Sequence, residues 1–579
     1  MSTASLLGLV AVLVIVAGIA AVLRPRAAST LDFYLAGQRV GVATNACAIC
    51  GDYFSAASFL GVAAAVYVSG LDGVWYATGF AAGFVPVLLF VAAPLRRFGE
   101  FSIPDFLGRR LESEKVRLAA VTVIQLIILS YLVPQAVGSG ITWELLVGHG
   151  IAGLSPYATG VLFSTAAITA LVALGGMRGT TWTQAVQFLL LLSAFIWLTI
   201  AVIGAGFNYP DAVAELTREP LGNPEHAGGQ WRTATEPNRI EPGTPAYFGE
   251  PGARYGRLGQ FALIITLIMG TAGLPHIMNR YFTSPTGTAA RMTTVWVLGL
   301  AGLFYTLAVL LGTAARTIIA DAADELPWLD ALTVHGVLRV PEHAPLVLGR
   351  IYGGELGLGF IATGALVAVM STIAGLLLAS AASWGHDVYE RHLNPRATQR
   401  QAVWAGRIAV AVVALLSAVI AVSLRPDSLG ALLPSMVATM VTWAFALAGS
   451  ALTPVFLLAI WWPRTTATGA IAGMSTGAAA AMAMFAAGTF ADDSGLREML
   501  LTPTVVAAPL AVVVTIVVSR HTSTPVNLES LWLRLHGTAA DRHITRLARL
   551  TVAGVTPRRA RATRHDGTRG RMGKGERHE

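Results

Sequence analysis

The feature that most constrains this chain is a series of apolar segments, each long enough to cross a lipid bilayer as a helix. A crossing takes about 20 residues at a rise of about 1.5 Å each. Only 12% of the 579 residues are charged, compared with about 25% in soluble domains. Lipid offers the backbone no hydrogen bonds, so each segment must satisfy its own N–H and C=O groups by folding as a helix. The sequence therefore predicts an all-α membrane protein.

The charge on the loops predicts how these segments are threaded. Arg24 and Arg26 follow the first segment, and the loop 96–117 is the most basic one, whereas the loop 318–345 is acidic. Basic loops stay on the cytoplasmic side, so we expect a multi-pass protein of the cell (plasma) membrane with its N-terminus outside and its C-terminus in the cytoplasm. The basic surplus then reflects topology and indicates no nucleic-acid partner. The thirteen predicted spans are residues 6–23, 42–69, 73–95, 118–143, 155–177, 182–205, 258–278, 292–315, 351–382, 404–424, 428–462, 467–490 and 499–519.

The second span, residues 42–69, carries polar residues where a membrane helix is normally apolar. Its centre holds Gly51, Asp52, Ser55 and Ser58. A charge at mid-membrane costs about 2.5–3.5 kcal/mol on insertion scales, and glycine lowers helix propensity by about 1 kcal/mol relative to alanine. We therefore expect this helix to be interrupted, with its carbonyls and hydroxyls free to bind an ion.

A second interruption is expected at Gly270–His276, where two glycines and Pro275 stand inside an apolar segment, because proline breaks a helix. Five spans lie within residues 42–205 and five within 258–462, so the second set starts from the opposite side of the membrane. Two such halves, each with a broken first helix, are typical of inverted-repeat transporters. The sequence thus predicts a five-plus-five inverted repeat, with one helix before it and two after it.

The same reasoning divides the chain into six parts. Residues 206–257 mix proline, glycine and both charge signs, which is typical of a surface loop and leaves open a role as a lid. Around 528–550, apolar positions recur at helical spacing beside arginines; either a solvated tail or a helix on anionic lipid fits this pattern. The parts are 1–41 (first helix and cytoplasmic link), 42–205 (first repeat), 206–257 (extracellular loop), 258–462 (second repeat), 463–519 (two peripheral helices) and 520–579 (basic cytoplasmic tail).

Oxygen atoms suited to a small cation also recur on a later span. Ala368, Ser371 and Thr372 place a carbonyl and two hydroxyls one turn apart on the span 351–382. Serine and threonine in membrane helices usually bond to their own backbone or to a neighbouring helix. Next to a broken helix, however, they are better explained as ligands of a monovalent cation. The free N–H groups at the start of each half-helix suit an anion.

The residues around both interruptions resemble the sodium/solute symporter family, and most closely its cation/acetate symporter (acetate permease) branch. The resemblance is carried by Gly51–Gly61, Ser69–Gly73 and Gly270–His276, and by the link Asp32–Gly37. It implies a LeuT-like fold of ten core helices in two inverted repeats. It also implies Na⁺ as the coupling ion, with no other cofactor; the residues alone leave H⁺ open as an alternative coupling ion.

By this resemblance, the sodium ion is held between the first and eighth core helices. The implied ligands are the carbonyls of Gly51, Phe54 and Ala368 and the hydroxyls of Ser371 and Thr372. Relatives with an acid at this site have it one helical position away from Asp52. Two roles for Asp52 therefore stay open, an ion ligand and a cap of the broken helix.

The interrupted helices offer few hydrogen-bonding groups, which favours a short monocarboxylate such as acetate over a sugar. The predicted substrate residues are Tyr53, Ser55, Ser58, Thr271 and Gly273. Pyruvate, propionate or an amino acid such as proline are alternative substrates, and an anion channel or a transporter-like membrane sensor is an alternative function. An enzyme is not expected, because no nucleophile–base set stands out in the sequence.

Two further residues lie beyond the second interruption. We expect His276 to bond to a neighbouring carbonyl, with a role as a pH sensor as the alternative, and Arg280 to anchor the inner membrane interface.

Overall fold

The computed structural model describes residues 30–217, 252, 256–323, 325–334, 336–424, 436–491 and 494–537. The predicted span 6–23, most of the loop 206–257 and the tail beyond residue 537 lie outside these ranges. The chain divides into two compact units, Met1–Leu528 and Glu529–Glu579. Everything below concerns the first unit.

The described part of the first unit is helical apart from one small hairpin. The helices of its N-terminal half are α1 Thr30–Leu35, α2 Val42–Tyr53, α3 Ala57–Ser69, α4 Leu71–Phe98, α5 Ile103–Arg110, α6 Glu114–Val147, α7 Pro156–Gly204 and α8 Tyr209–Leu216. Those that follow are α9 Gly256–Gly273, α10 Pro275–Phe282, α11 Gly287–Ala322, α12 Pro327–Asp330, α13 Pro341–Leu393, α14 Gln399–Ser423, α15 Met436–Trp461, α16 Ala467–Thr489, α17 Ser494–Leu501 and α18 Thr504–Arg520. The hairpin pairs β1 Thr333–Val334 with β2 Val337–Leu338. A last short helix, Leu528–His536, runs on into the second unit.

The first predicted interruption lies between α2 and α3, whose axes are bent by 69°. Phe54 leaves the helical region with φ −78° and ψ 79°. The second interruption lies between α9 and α10, where Leu274 is extended with φ −69° and ψ 116°. Pro275 opens α10, a position that suits it because the first N–H groups of a helix have no intrahelical partner. Both breaks fall within the stretches that the sequence indicated.

Helix α7 runs without a loop over two predicted spans, 155–177 and 182–205, and it is kinked at Gly176, whose backbone is not helical. Gly160, near the start of α7, packs on Trp143 of α6, and Trp197, near its end, packs on Gly353 of α13. Gly176 lies between them, has φ 57° and packs on Phe33 of α1. A straight helix of 49 residues would be about 73 Å long, far more than one bilayer. Because a positive φ costs glycine little, glycine is well suited to position 176, where α7 is kinked.

A similar kink divides α13 near its start. Gly354 has φ 57°, and Gly349 and Gly357 face each other so closely that a side chain on Gly357 would collide with the Gly349 carbonyl. From Gly354 the rest of α13 continues to Leu393, well beyond the predicted end at residue 382.

Within the described ranges, nine helices are long and apolar enough to cross a membrane, and ten if α2 and α3 form one broken span. Helix α18 is apolar but shorter. This agrees with a multi-pass membrane protein. The total of thirteen spans and the inverted relation of the two halves stay predictions.

Candidate functional site

The first interruption meets α13 at Gly51. A side chain added at Gly51 would collide with the Gln184 carbonyl and would lie 3.1 Å from Ser371 Oγ. The neighbouring hydroxyl, Thr372 Oγ1, donates to the Asp52 carbonyl at 2.8 Å. All of these residues are buried. The structure therefore brings together four of the six residues predicted to bind the cation. The other two follow or precede them closely in the chain: Phe54 comes directly after α2, and Ala368 lies one turn before Ser371 and Thr372 on α13.

The break in the helix releases two backbone groups, and each has found a partner on another helix. In an unbroken helix, the Ala56 N–H would donate to the Asp52 carbonyl. Here it donates to Gln135 Oε1 at 3.0 Å, while the carbonyl accepts from Thr372. Helices α6 and α13 therefore hold the interruption open from two sides.

Two buried oxygen atoms beside this junction have no hydrogen-bond partner among the described residues: Ser371 Oγ and Asp52 Oδ1. Both residues have no exposed surface. Asp52 Oδ1 faces Gly375, one turn beyond Ser371 on α13. Leaving a buried polar group without a partner costs about 1–3 kcal/mol, and more for a charged one. Oxygen atoms in this situation are suited to binding a small cation.

The second carboxylate oxygen of Asp52 is paired with Arg280, at 3.2 Å between Nε and Oδ2. Arg280 also donates to Thr181 Oγ1 at 2.7 Å and to Gln184 Oε1. Gln184 in turn donates to the Ser371 carbonyl at 2.7 Å. The sequence suggested an interface anchor at Arg280, whereas the structure makes it the buried partner of Asp52. It links α10 to α2 and α7.

Most of the predicted substrate residues are already hydrogen-bonded or closely packed. The Tyr53 hydroxyl bonds to the Phe80 carbonyl at 2.9 Å and to Thr271 Oγ1 at 2.8 Å, and so joins the two interrupted helices. Ser58 Oγ bonds to the Tyr305 hydroxyl at 2.8 Å. A side chain on Gly273 would meet the Ala448 carbonyl at 2.8 Å. By contrast, Ser55 Oγ, buried beside Tyr131, makes no hydrogen bond of normal geometry within the described part.

Sequence reasoning missed Gln135, whose amide is oriented by the break. Because its oxygen accepts from the Ala56 N–H, its NH₂ group points elsewhere, and this group has no partner in the described ranges. Gln135 is fully buried. An amide that follows Pro134 inside an apolar span was a usable signal, since polar groups within a membrane helix commonly mark a pathway.

His276 lies close to this unpaired set. Its ring contacts that of Tyr131, with centroids 5.4 Å apart, and Tyr131 lies beside Ser55. Neither ring nitrogen of His276 has a hydrogen-bond partner among the residues that the structure describes. The expected bond to a neighbouring carbonyl is therefore not found there. Ser55, Gln135 and His276 together leave unused donors and acceptors around the first interruption.

Comparisons with known proteins agree with this architecture. The model of the sodium:solute symporter family matches residues 33–477. The chain belongs to this family. The matched region runs from α1 into α16, so it contains both interruptions and the α13 residues described above. The family resemblance noted from the sequence is confirmed.

Two curated relatives are similar over most of their length. A monocarboxylic acid transporter of Corynebacterium glutamicum is 31% identical over 457 residues, which are 78% of this chain and 77% of the relative. An uncharacterized symporter of Bacillus subtilis, YwcA, is 31% identical over 466 residues, which are 79% of this chain and 81% of the relative.

Among solved structures, a Na⁺-coupled sialic acid symporter in a substrate-bound, outward-open state has the same fold. The TM-score is 0.67 at 16% identity, covering 90% of this chain and 99% of the other. At that level of identity the likeness shows the fold alone. Family and fold together make this chain a member of a group of transporters.

Proposed function

We propose that this protein is a secondary active transporter that couples the inward movement of Na⁺ to uptake of acetate or another short monocarboxylate. The observation that carries the proposal is the pair of unpartnered oxygens, Ser371 Oγ and Asp52 Oδ1, between the interrupted α2 and α13. A sodium ion there would satisfy both. The carbonyls of Gly51, Phe54 and Ala368 and the Thr372 hydroxyl would complete its oxygen ligands.

Asp52 is assigned as a direct ligand of the ion in this proposal. Its Oδ2 is occupied by Arg280 at 3.2 Å, which leaves Oδ1 for the cation. The Asp52–Arg280 pair is neutral, so a bound Na⁺ would leave the site with one net positive charge. That charge attracts a carboxylate, and it explains why the ion would bind first and the anion second.

The carboxylate is proposed to bind at the first interruption. Ser55 Oγ and the Gln135 NH₂ group are donors without a partner among the described residues there, and His276 adds a ring nitrogen. Ser58, Thr271 and Tyr53 bond to other groups of the protein, so they would shape this pocket rather than contact the solute in this state. So few free donors suit a two-carbon or three-carbon acid better than a sugar. The monocarboxylic acid transporter among the relatives supports the same substrate class.

Coupling follows if the ion binds tightly only when α2 and α13 are in contact. A ligand with equal affinity for two conformations shifts neither, so the outward and inward states must differ at this junction. One Na⁺ with one carboxylate carries no net charge, and the membrane potential would then contribute no driving force. A second cation would add about 2.3 kcal/mol per 100 mV.

Uptake by purified protein in proteoliposomes tests the proposal. We expect labelled acetate to accumulate against its gradient when Na⁺ is higher outside, and not when K⁺ replaces Na⁺. Unlabelled propionate, pyruvate and proline are then added one at a time, and the inhibition of labelled acetate uptake by each defines the substrate class. Accumulation driven equally well by a proton gradient without Na⁺ would refute sodium coupling, and competition by proline alone would refute the monocarboxylate assignment.

Counterflow separates a carrier from a channel. Vesicles loaded with unlabelled acetate should take up labelled acetate faster than empty ones, because a carrier exchanges the two solutes across the membrane. A channel shows no such stimulation, and a membrane sensor shows no uptake.

Cysteines introduced in turn at Arg24 and in the loop 96–117 would test the proposed orientation of the chain by their reactivity towards an impermeant thiol reagent.

A further inference from the structure

A cluster of buried charged groups lies where α5 meets the far end of α13, away from the ion and solute site. Asp105 belongs to α5, while His386 and Asp387 belong to α13. At most 2% of the surface of any of them is exposed. One ligand atom of each residue lies within 4.8 Å of those of the other two. The proposed transport mechanism uses none of these residues.

The imidazole of His386 is held in one orientation. Its Nδ1 bonds to Glu390 Oε2 at 2.9 Å, and its ring stacks on Phe101 with centroids 4.6 Å apart. A carboxylate can only accept, so Nδ1 carries a proton, and Nε2 is the ring nitrogen left for a metal ion, which would displace a proton there. Nε2 lies 3.8 Å from Asp105 Oδ2, which is too long for a hydrogen bond, and it has no other partner in the described residues.

The two carboxylates are each held in place by neighbouring donors. Asp105 Oδ1 contacts Arg117 at 3.2 Å and Arg109 at 3.5 Å, while Oδ2 accepts from the Phe101 N–H at 3.4 Å and lies 3.8 Å from His386 Nε2. Asp387 Oδ2 accepts from Ser102 Oγ at 2.7 Å. Asp387 Oδ1 has no partner in the part of the chain that the structure describes.

The two arginines near Asp105 are shared with other acids. Arg109 also contacts Glu100 at 3.1 Å, and Arg117 contacts Glu114 at 2.6 Å. Both arginines lie beside one oxygen of Asp105, and their positive charges favour the ionised carboxylate.

We propose that His386 Nε2, Asp105 Oδ2 and Asp387 Oδ1 form a binding site for a divalent transition-metal ion of the Zn²⁺ type. One imidazole nitrogen and two carboxylate oxygens are ligands that Zn²⁺ accepts, with a fourth position left for water. Glu390 is the outer carboxylate that orients a metal-binding histidine in many such sites. The metal would neutralise the two unpaired acceptors and would fasten α5 to α13.

Zinc binding to the purified full-length protein tests this site without Na⁺, solute or transport, so its outcome is independent of the proposed function. The protein is stripped with a chelator and titrated with Zn²⁺ by calorimetry, and its thermal unfolding is followed in parallel. Because the chain has 12 histidines, other sites will also bind zinc. The proposed site is therefore identified by the zinc binding that a variant loses relative to the wild type. His386→Gln and Asp387→Asn remove ligands, while His392→Gln changes an exposed histidine of the same segment.

We expect one zinc site per chain to disappear in His386→Gln and in Asp387→Asn and to persist in His392→Gln. Glu390→Gln keeps an acceptor for Nδ1–H and should weaken binding by roughly 10- to 100-fold, as outer partners of metal ligands do. Zn²⁺ should raise the melting temperature of the wild type and of His392→Gln, and it should do so at higher Zn²⁺ concentration in Glu390→Gln; His386→Gln and Asp387→Asn should lack this increase. Equal zinc binding and equal melting shifts in the wild type and His386→Gln would overturn the proposal, as would the absence of binding; the cluster would then hold a proton instead.

Discussion

Two adjacent hydroxyls on α13 allow a sharp test of the proposed ion site, because the protein uses one and leaves the other free. Thr372 Oγ1 donates to the Asp52 carbonyl at 2.8 Å, whereas Ser371 Oγ is buried and has no partner among the described residues. The variants Thr372→Val and Ser371→Ala each remove a single hydroxyl. Ser371→Ala should weaken Na⁺ binding, whereas Thr372→Val should lower the stability of the protein.

Ser371→Ala removes no hydrogen bond found among the described residues, so its stability in Na⁺-free buffer should equal that of the wild type. It removes one oxygen from the proposed ion. A hydrogen bond to a charged group contributes about 1.5–3 kcal/mol, and we take this as the scale for an oxygen on Na⁺. Since about 1.4 kcal/mol corresponds to a factor of ten, the half-saturating Na⁺ concentration should rise roughly 10- to 100-fold.

Thr372→Val is the matched control, since valine keeps the shape of threonine. It leaves the Asp52 carbonyl without a partner at the break, which should cost about 1–3 kcal/mol of stability even without Na⁺. Thermal unfolding across a Na⁺ titration, together with Na⁺ activation of acetate uptake, measures both quantities. An unchanged half-saturating Na⁺ concentration in Ser371→Ala would refute the ion site. A Na⁺-free melting temperature as low as that of Thr372→Val would show that Ser371 has a structural partner instead.

Three further changes test the surroundings of this junction. Asp52→Asn leaves the buried Arg280 charge uncompensated and should lower stability by about 3–5 kcal/mol; adding Arg280→Gln should restore most of the melting temperature. Gln135→Glu keeps an oxygen towards the break but replaces the free NH₂ with a negative charge, so the half-saturating acetate concentration should rise roughly tenfold or more while Na⁺ binding persists. Tyr53→Phe removes the bond to Thr271 and should lower the melting temperature through a loss of about 1–3 kcal/mol.

The sequence predicted the two interruptions because their signal is local. Polar and flexible residues inside an apolar span, and Pro275 inside another, act on the helix in which they stand. The junction of Gly51 with Ser371 was reached through the family resemblance, and the two residues do lie together. The extension of α13 to Leu393 was missed, because hydropathy marks the part of a helix that lipid covers and not its end.

The pairing of Asp52 with Arg280 could not be predicted, since the two residues are separated by more than 200 positions and only the packing of α2 against α10 joins them. The same holds for Ser58, whose hydroxyl could be read as a solute ligand until Tyr305 was seen to occupy it. Gln135 carried a visible signal, an amide in an apolar span. Its orientation depended on the Ala56 N–H that the break sets free.

The reach of α13 has a consequence for the two proposed cation sites. Ser371 and Asp387 stand on one continuous helix, roughly 24 Å apart along its axis, so the same element carries a proposed ligand for each ion. Linkage is reciprocal: if Na⁺ at one end changes the affinity for Zn²⁺ at the other by some factor, Zn²⁺ must change the affinity for Na⁺ by the same factor. Zn²⁺ bound at Asp387 would then strengthen or weaken Na⁺ binding at Ser371 without contacting the ion or the solute.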